Sequence, residues 1–60
     1  RAAVAELADE HRQIIVLREM EGLAYEDIAE TLQLPVGTVR SRLFRARAQL
    51  KDILQAKLNE

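Results

Sequence analysis

Cysteine and tryptophan are absent from the chain, and glycine, proline and aromatic residues are scarce. Without cysteine there is neither a disulfide framework nor a thiolate metal site, and a lone His11 cannot supply the missing ligands. We therefore expect no metal and no cofactor. No apolar run is long enough to span a bilayer and no signal-peptide pattern is visible, which favours a cytoplasmic protein without membrane insertion. Because the chain starts at Arg1 rather than methionine, we expect it to be a fragment.

Charge is divided unevenly along the chain. Residues 1–34 carry three arginines against eight acids, a net charge of −5, and residues 35–60 carry six bases against two acids, a net charge of +4. The net charge of −1 for the whole chain hides this division. The first half should repel phosphate, whereas the second half has the composition of a surface that meets nucleic acid.

The apolar pattern predicts an all-α fold, a single domain of three to four helices over residues 1–60. The strand-like run at residues 14–17 lies among charged residues with no turn before it, so we assign it to a helix with Asp9 as N-cap. Helical spacing puts four residues of this helix on one side: Gln13, Val16, Leu17 and Met20. Ile15 then points the other way, either towards Val4 and Leu7 of the N-terminal segment or towards a partner.

Glycine and proline mark the later helix boundaries. Gly22 is expected to end the first helix in the left-handed conformation, which glycine adopts without steric cost. A second, short helix should begin near Tyr25, where acids in its first turn suit the helix dipole. Pro35 is expected at the first position of a long C-terminal helix that reaches about Leu58. We expect the tail at residues 53–58 to fray, although its apolar spacing also suits docking of another protein.

The helix after Pro35 has two unlike faces. Its apolar stripe comprises Val39, Leu43, Ala46 and Leu50, which recur at helical spacing. The far side holds Gly37, Ser41, Phe44, Arg45 and Ala48, with Arg40 and Arg42 at its edges. Arginine and serine can bond base edges or phosphates in the major groove, and an aromatic ring can contact thymine methyls. The alternative for Phe44 is packing on the first helix or on a domain outside this chain.

The turn between the second and third helices has the pattern of a helix-turn-helix. Such a pair needs a small residue where the helices cross, with apolar residues around it. Ala29 is that small residue, and the apolar residues around it are Ile28, Leu32, Leu34, Val39 and Leu43. Together with the basic helix, this pattern predicts DNA binding through a long recognition helix. We predict no enzyme, because no nucleophile–base arrangement or glycine-rich phosphate loop is present.

The run LREMEGLAYEDIAETLQLPVGTVRSRLFRARAQL resembles region 4 of a bacterial RNA polymerase sigma factor of the extracytoplasmic-function group. The resemblance covers about Leu7 to Leu50, and PVGTVRSRLFRAR is its most specific part. It implies a non-catalytic domain that recognises the minus-35 promoter element in transcription initiation. It also implies two protein partners, the flap of the polymerase beta subunit and an anti-sigma factor.

The same resemblance implies roles for individual residues. Contacts to bases, or to the backbone beside them, are expected from Arg40, Ser41, Phe44 and Arg45. Phosphate contacts are expected from Arg18, Tyr25 and Glu26. The carboxylate of Glu26 repels phosphate, so its contact should come from the backbone or the helix N-terminus. We also expect Thr38 and Arg42 to contact the DNA backbone.

Two positions depart from the pattern of the family. Ala24 stands where a serine or threonine is usual, so the hydroxyl that would cap the second helix and form a capping box with Asp27 is missing. Ala8 stands where proline is common, so the N-terminal segment is expected to join the next helix without the usual break.

Two other functions fit much of the sequence. A sigma-like mimic would bind an anti-sigma factor without touching DNA, although it would not need the basic outer face that is present here. The output domain of a response regulator resembles the segment IAETLQLPVGTV, but the continuation RSRLFRAR favours a sigma factor. A purely structural helical bundle leaves the charge division and Phe44 unexplained.

Overall fold

The fold is all-α, as the apolar pattern predicts. The computed structural model describes residues 2–59 and contains no strand within that range. No helix among these residues is long and apolar enough to cross a membrane. The elements in chain order are α1 (Ala2–Ala5), α2 (Asp9–Ile15) with a π-helical continuation (Val16–Met20), α3 (Tyr25–Leu32) and α4 (Val36–Leu58).

The hydrophobic core is built around α4, against which the other three helices all pack. The buried core cluster comprises Leu7, Ile14, Ile15, Ile28, Val39, Leu43 and Ala46. Three of these side chains lie on α4, and they belong to the predicted stripe. Leu50, the fourth predicted member, is half-buried and packs against the cluster. The apolar stripe of α4 is therefore confirmed.

The start of α2 differs from the expectation in two ways. Ala8, not Asp9, holds the N-cap position, and no side chain caps the helix. Asp9 is the first helical residue, and its carboxylate accepts a hydrogen bond from Arg12 at 2.6 Å. The N-terminal segment does not run into α2, because residues 6–8 turn between α1 and α2. Ala8 has φ −56° and ψ 150°, so the chain breaks there without a proline.

The predicted faces of the first long helix are only partly correct. Ile15 is buried in the core cluster beside Ile14, in agreement with the interpretation that it packs inward. Val4 packs against the same cluster, of which Leu7 is a member. Of the residues predicted to share one side, Leu17 packs against the core cluster, whereas Gln13 and Met20 are exposed, Met20 by 62%.

The π-helical segment explains part of this error. The amide of Glu21 donates to the carbonyl of Val16 five residues back, at 3.0 Å, so the last turn is wider than an α-helical turn. A wheel drawn at 3.6 residues per turn therefore misplaces the side chains that follow Ile15. Gly22 ends the segment at φ 72°, as predicted from its position.

The turn between α3 and α4 is fixed by backbone conformations. Gln33 lies in the left-handed region at φ 56°, and the amide of Leu34 donates to the carbonyl of Ala29 at 2.9 Å. Pro35 precedes α4 as its N-cap rather than occupying the first helical position. Its extended ψ of 146° directs its carbonyl to accept the first hydrogen bonds of α4. Ala29, Leu32 and Leu34 pack against the core cluster, as the helix-turn-helix pattern requires.

The C-terminal tail is helical rather than frayed. The regular part of α4 continues to Leu58, with Ile53 packed against the core cluster. Lys57 donates to the carboxylate of Glu6 at 2.7 Å, which ties the end of α4 to the N-terminal segment. The side chains of Leu54 and Leu58 stay exposed.

Adding a hydroxyl at the N-cap of α3 should stabilise the domain. Ala24 holds this position with extended backbone and makes no side-chain cap. We predict that Ala24→Ser raises the free energy of unfolding by about 0.5–1 kcal/mol, because the serine oxygen can accept from an unpaired first-turn amide. Chemical denaturation measures the change. Ala48→Ser, at an exposed position inside α4, is the control and should not stabilise; an equal gain at both sites would contradict the capping explanation.

Glycine at position 33 should also stabilise the domain. A residue with a Cβ pays a steric cost in the left-handed region that glycine avoids. The left-handed conformation costs about 1–2 kcal/mol, and the extra chain entropy that glycine loses on folding offsets roughly 0.5–1 kcal/mol of that gain. Gln33→Gly should therefore raise the unfolding free energy by roughly 0.5–1 kcal/mol. Gln13→Gly is the matched control, since Gln13 is exposed within α2, where glycine should cost about 1 kcal/mol. Loss of stability in both variants would show that the turn does not strain Gln33.

Candidate nucleic-acid interface

The first half of α4 separates a buried face from an exposed one. Val39, Leu43 and Ala46 are at most 1% exposed. The four predicted base-contacting residues all lie on the exposed side: Arg40, Ser41, Phe44 and Arg45. Phe44 is 76% exposed, so it packs neither on the first helix nor elsewhere within the described residues. An aromatic ring left in water beside arginines is an available contact surface.

Ser41 is oriented on this face as a hydrogen-bond acceptor. Its hydroxyl donates to the carbonyl of Thr38 at 3.1 Å. The oxygen lone pairs then remain open to a donor such as an exocyclic amine of a base. Thr38 itself is half-buried in the first turn of α4, a turn that contains no acidic residue.

Two of the predicted phosphate-contacting residues are stacked on each other. The guanidinium of Arg18 lies 4.8 Å from the centroid of the Tyr25 ring. The same guanidinium donates to the carbonyl of Leu23 at 2.8 Å, which ties the π-helical segment to the loop before α3. Arg18 therefore holds Tyr25 in place through a cation–π contact. Glu26 follows in the first turn of α3 and is exposed.

A cleft of about 490 Å³ separates Tyr25 from the outer side of α4. The helix lines it with Arg40, Phe44, Arg47, Ala48 and Lys51. It therefore joins two predicted base-contacting residues to a predicted phosphate-contacting one. The sequence analysis did not single out Arg47 or Lys51. Their spacing from Arg40 and Phe44, close to whole helical turns, was the available signal.

Ion pairs neutralise part of the basic half. Arg47 donates from Nε and Nη2 to one carboxylate oxygen of Glu19, at 3.1 and 2.6 Å. This hydrogen bond is the main reason that the pKa of Arg47 is raised above its usual value. Arg42 lies 3.9 Å from Glu10, and Lys57 is paired with Glu6. Within residues 2–59, no carboxylate pairs with the remaining bases of α4: Arg40, Arg45 and Lys51.

Within residues 2–59, no three histidine, aspartate or glutamate side chains lie close enough together to hold a metal ion. Nδ1 of His11 is hydrogen-bonded to the side-chain oxygen of Gln49, which links α2 to α4. His11 therefore has a structural contact that accounts for its half-buried position.

The architecture is that of a small helix-turn-helix domain in which the exposed side of the last helix is basic and carries one aromatic ring. The sequence matches the family model described as "Sigma-70, region 4" over residues 1–50. The chain belongs to the sigma-70 region 4 family. The resemblance carried by PVGTVRSRLFRAR is thereby confirmed.

Curated relatives are sigma factors of about three times this length. The chain is 53% identical over 57 residues to the RNA polymerase sigma-H factor of Pseudomonas aeruginosa, covering 95% of the chain and 30% of that protein. It is 55% identical over 49 residues to the ECF RNA polymerase sigma-E factor of Haemophilus influenzae, covering 82% and 26%. The sigma-E factor of Escherichia coli K12 is 48% identical over 52 residues, covering 87% and 27%. The chain thus spans less than a third of these relatives.

Neighbouring residues of α4 provide a test of its two faces. Leu43 is 1% exposed and Phe44 is 76% exposed. Leu43→Ala should lower the free energy of unfolding by about 2–5 kcal/mol through lost burial and a cavity. Phe44→Ala should change it by no more than about 0.5 kcal/mol, as at other surface sites. Thermal or urea denaturation compares the two, and a large loss for Phe44→Ala would contradict the assigned faces.

Proposed function

We propose that this domain recognises the minus-35 element of a promoter as part of an RNA polymerase sigma factor. The observation that carries the proposal is the exposed face of α4, which holds Arg40, Ser41, Phe44 and Arg45, whereas the other side of the helix is packed in the core. A helix with this division can enter the major groove without giving up core contacts. Membership of the sigma-70 region 4 family supports the same function.

Base recognition follows from the chemistry of the exposed side chains. Arg40 and Arg45 can each donate two hydrogen bonds to O6 and N7 of a guanine. Phe44 is suited to van der Waals contact with a thymine methyl group. Ser41 has lone pairs open to an amino group of adenine or cytosine. The read sequence should therefore include at least one G·C pair, contacted by arginine, and one A·T pair, contacted by Phe44.

Backbone contacts orient α4 in the groove. Arg18 and Tyr25 lie together beside the exposed face and are proposed to contact one strand. The backbone of Glu26, in the first turn of α3, is proposed to donate to a phosphate from the positive end of that helix. Thr38 and Arg42 are proposed to contact the backbone from α4. The pairing of Arg42 with Glu10 is long, at 3.9 Å, so phosphate can compete for this arginine.

The binding partners of the complete protein are inferred from its relatives. The relatives are named RNA polymerase sigma factors, and the chain covers less than a third of each. We propose that the complete protein acts in the cytoplasm, binds the beta flap of core polymerase and is controlled by an anti-sigma factor. The acidic first half weakens DNA binding by the isolated domain, so the polymerase should supply much of the affinity.

The two alternatives predict different behaviour. A sigma-like mimic would bind an anti-sigma factor and leave DNA unbound. The family match and the sigma-factor relatives favour a sigma domain over a response-regulator output domain. The unpaired cations of the exposed face favour a DNA reader over a mimic, because a mimic has no use for them.

Titration of a duplex that contains a minus-35 element tests the proposed function. Arg45→Ala should weaken binding by about 1–3 kcal/mol and relax the sequence preference at one base pair. Phe44→Ala should also weaken it. If three phosphates are neutralised, log K should fall against log salt with a slope of about −2.7. Fluorescence anisotropy at several salt concentrations measures both quantities.

Arg12→Ala is the control for this titration. Arg12 lies on α2, is paired with Asp9 and is absent from the proposed interface, so its loss should leave DNA affinity nearly unchanged. Equal binding by the wild type, Arg45→Ala and Phe44→Ala would overturn the assignment of the reading face. Binding of an anti-sigma factor with no DNA binding at low salt would favour the mimic.

A further inference from the structure

We infer that the cleft between Tyr25 and α4 binds a sugar–phosphate unit of the DNA strand beside the read bases, with Lys51 as its cation. This inference rests on the proposed function and extends the interface along α4 beyond the reading residues. Lys51 lies just outside residues 1–50, the part that matches the family.

The distribution of ion pairs singles out Lys51. Among the described residues, the bases of α4 without a carboxylate partner are Arg40, Arg45 and Lys51. Arg40 and Arg45 belong to the reading face already described. Lys51 lies six residues beyond Arg45, about 9 Å further along the helix. Lys51 is exposed, so it extends the positive surface of α4 beyond the reading residues.

The lining of the cleft matches both parts of a sugar–phosphate unit. Deoxyribose offers an apolar face, and Phe44, Ala48 and the ring of Tyr25 provide apolar surface. The phosphate carries the negative charge, and Lys51 provides a cation at the end of the helical side of the cleft that lies away from Arg40. A cleft with cations alone would attract any anion, whereas this combination suits a nucleic-acid strand.

Arg47 has a different role in the same cleft. Its Nε and Nη2 groups are engaged by Glu19, so the pair contributes little net charge. The pair fixes the end of the π-helical segment, which carries Arg18, against α4. Since Arg18 stacks on Tyr25, the Glu19–Arg47 pair helps to set the width of the cleft. We therefore assign Arg47 as a positioning residue and Lys51 as the phosphate-binding residue.

The salt dependence of DNA binding tests the role of Lys51. Lys51→Gln removes the charge at an exposed helical position and should leave the fold intact, as checked by circular dichroism. One lost phosphate contact changes the slope of log K against log salt by about 0.9, so the affinity loss should be about 3.5-fold larger at 50 mM than at 200 mM salt. The loss should be the same for a minus-35 duplex and for a scrambled duplex, because phosphates carry no sequence information.

The helix provides a matched control. Lys57→Gln removes the same charge from the same helix, but Lys57 is paired with Glu6 and does not line the cleft. Its slope should equal that of the wild type, and Lys51→Arg should retain the wild-type slope. Equal slopes for Lys51→Gln and the wild type, or equal losses for the two glutamine variants, would overturn the inference.

Single methylphosphonate substitutions, which neutralise one phosphate at a time, locate the contact. Neutralising one phosphate outside the read bases should weaken binding by the wild type and cause no further loss in Lys51→Gln. If the two losses add at every phosphate, the cleft assignment is contradicted.

Arg45→Ala separates the two proposals. If Lys51→Gln keeps the wild-type salt slope while Arg45→Ala binds DNA more weakly, the cleft proposal fails and promoter recognition stands. If Lys51→Gln changes the slope but the wild type does not prefer the minus-35 duplex, promoter recognition fails and the cleft proposal stands. If the domain binds no DNA, both proposals fail.

Discussion

The packing of one side of α4 against the rest of the chain is the interaction on which the structure depends. Val39, Leu43 and Ala46 are fully buried, and α1, α2 and α3 all contact this helix. A chain of 60 residues has little apolar surface to bury, so one long central helix is an economical support. The same helix carries the exposed arginines. Stability and the proposed recognition of DNA therefore belong to opposite sides of a single helix.

Ion pairs connect the acidic first half of the chain to the basic second half. Three acids of the first half pair with bases of α4, in the pairs Glu6–Lys57, Glu10–Arg42 and Glu19–Arg47. These contacts hold the acidic segments against the sides and end of the basic helix. Such exposed pairs add little stability individually, but they orient the side chains that they join and lower the unpaired positive charge of α4. Among the described residues, three cations of α4 then remain without a carboxylate partner: Arg40, Arg45 and Lys51.

Periodicity along a regular helix made much of this fold predictable from the sequence. The stripe of α4, the end at Gly22 and the start of α3 at Tyr25 all follow from local patterns. Ile15 could not be placed in this way, because two adjacent isoleucines are buried and the following π turn changes the period. The left-handed conformation of Gln33 could not be predicted, because glutamine does not indicate a positive φ as glycine does. The cleft was also missed, since it depends on contacts such as Glu19 with Arg47, 28 residues apart.

The continuity of α4 links the reading residues to the cleft. Arg45 and Lys51 are joined by unbroken helix, so the separation of their Cα atoms is already fixed in the folded domain. The cleft wall opposite is held by the stacking of Arg18 on Tyr25 and by the pair between Glu19 and Arg47. Side chains that are already oriented lose less conformational entropy on binding. A domain with an acidic first half and few cations can therefore gain affinity from fixed geometry where it lacks charge.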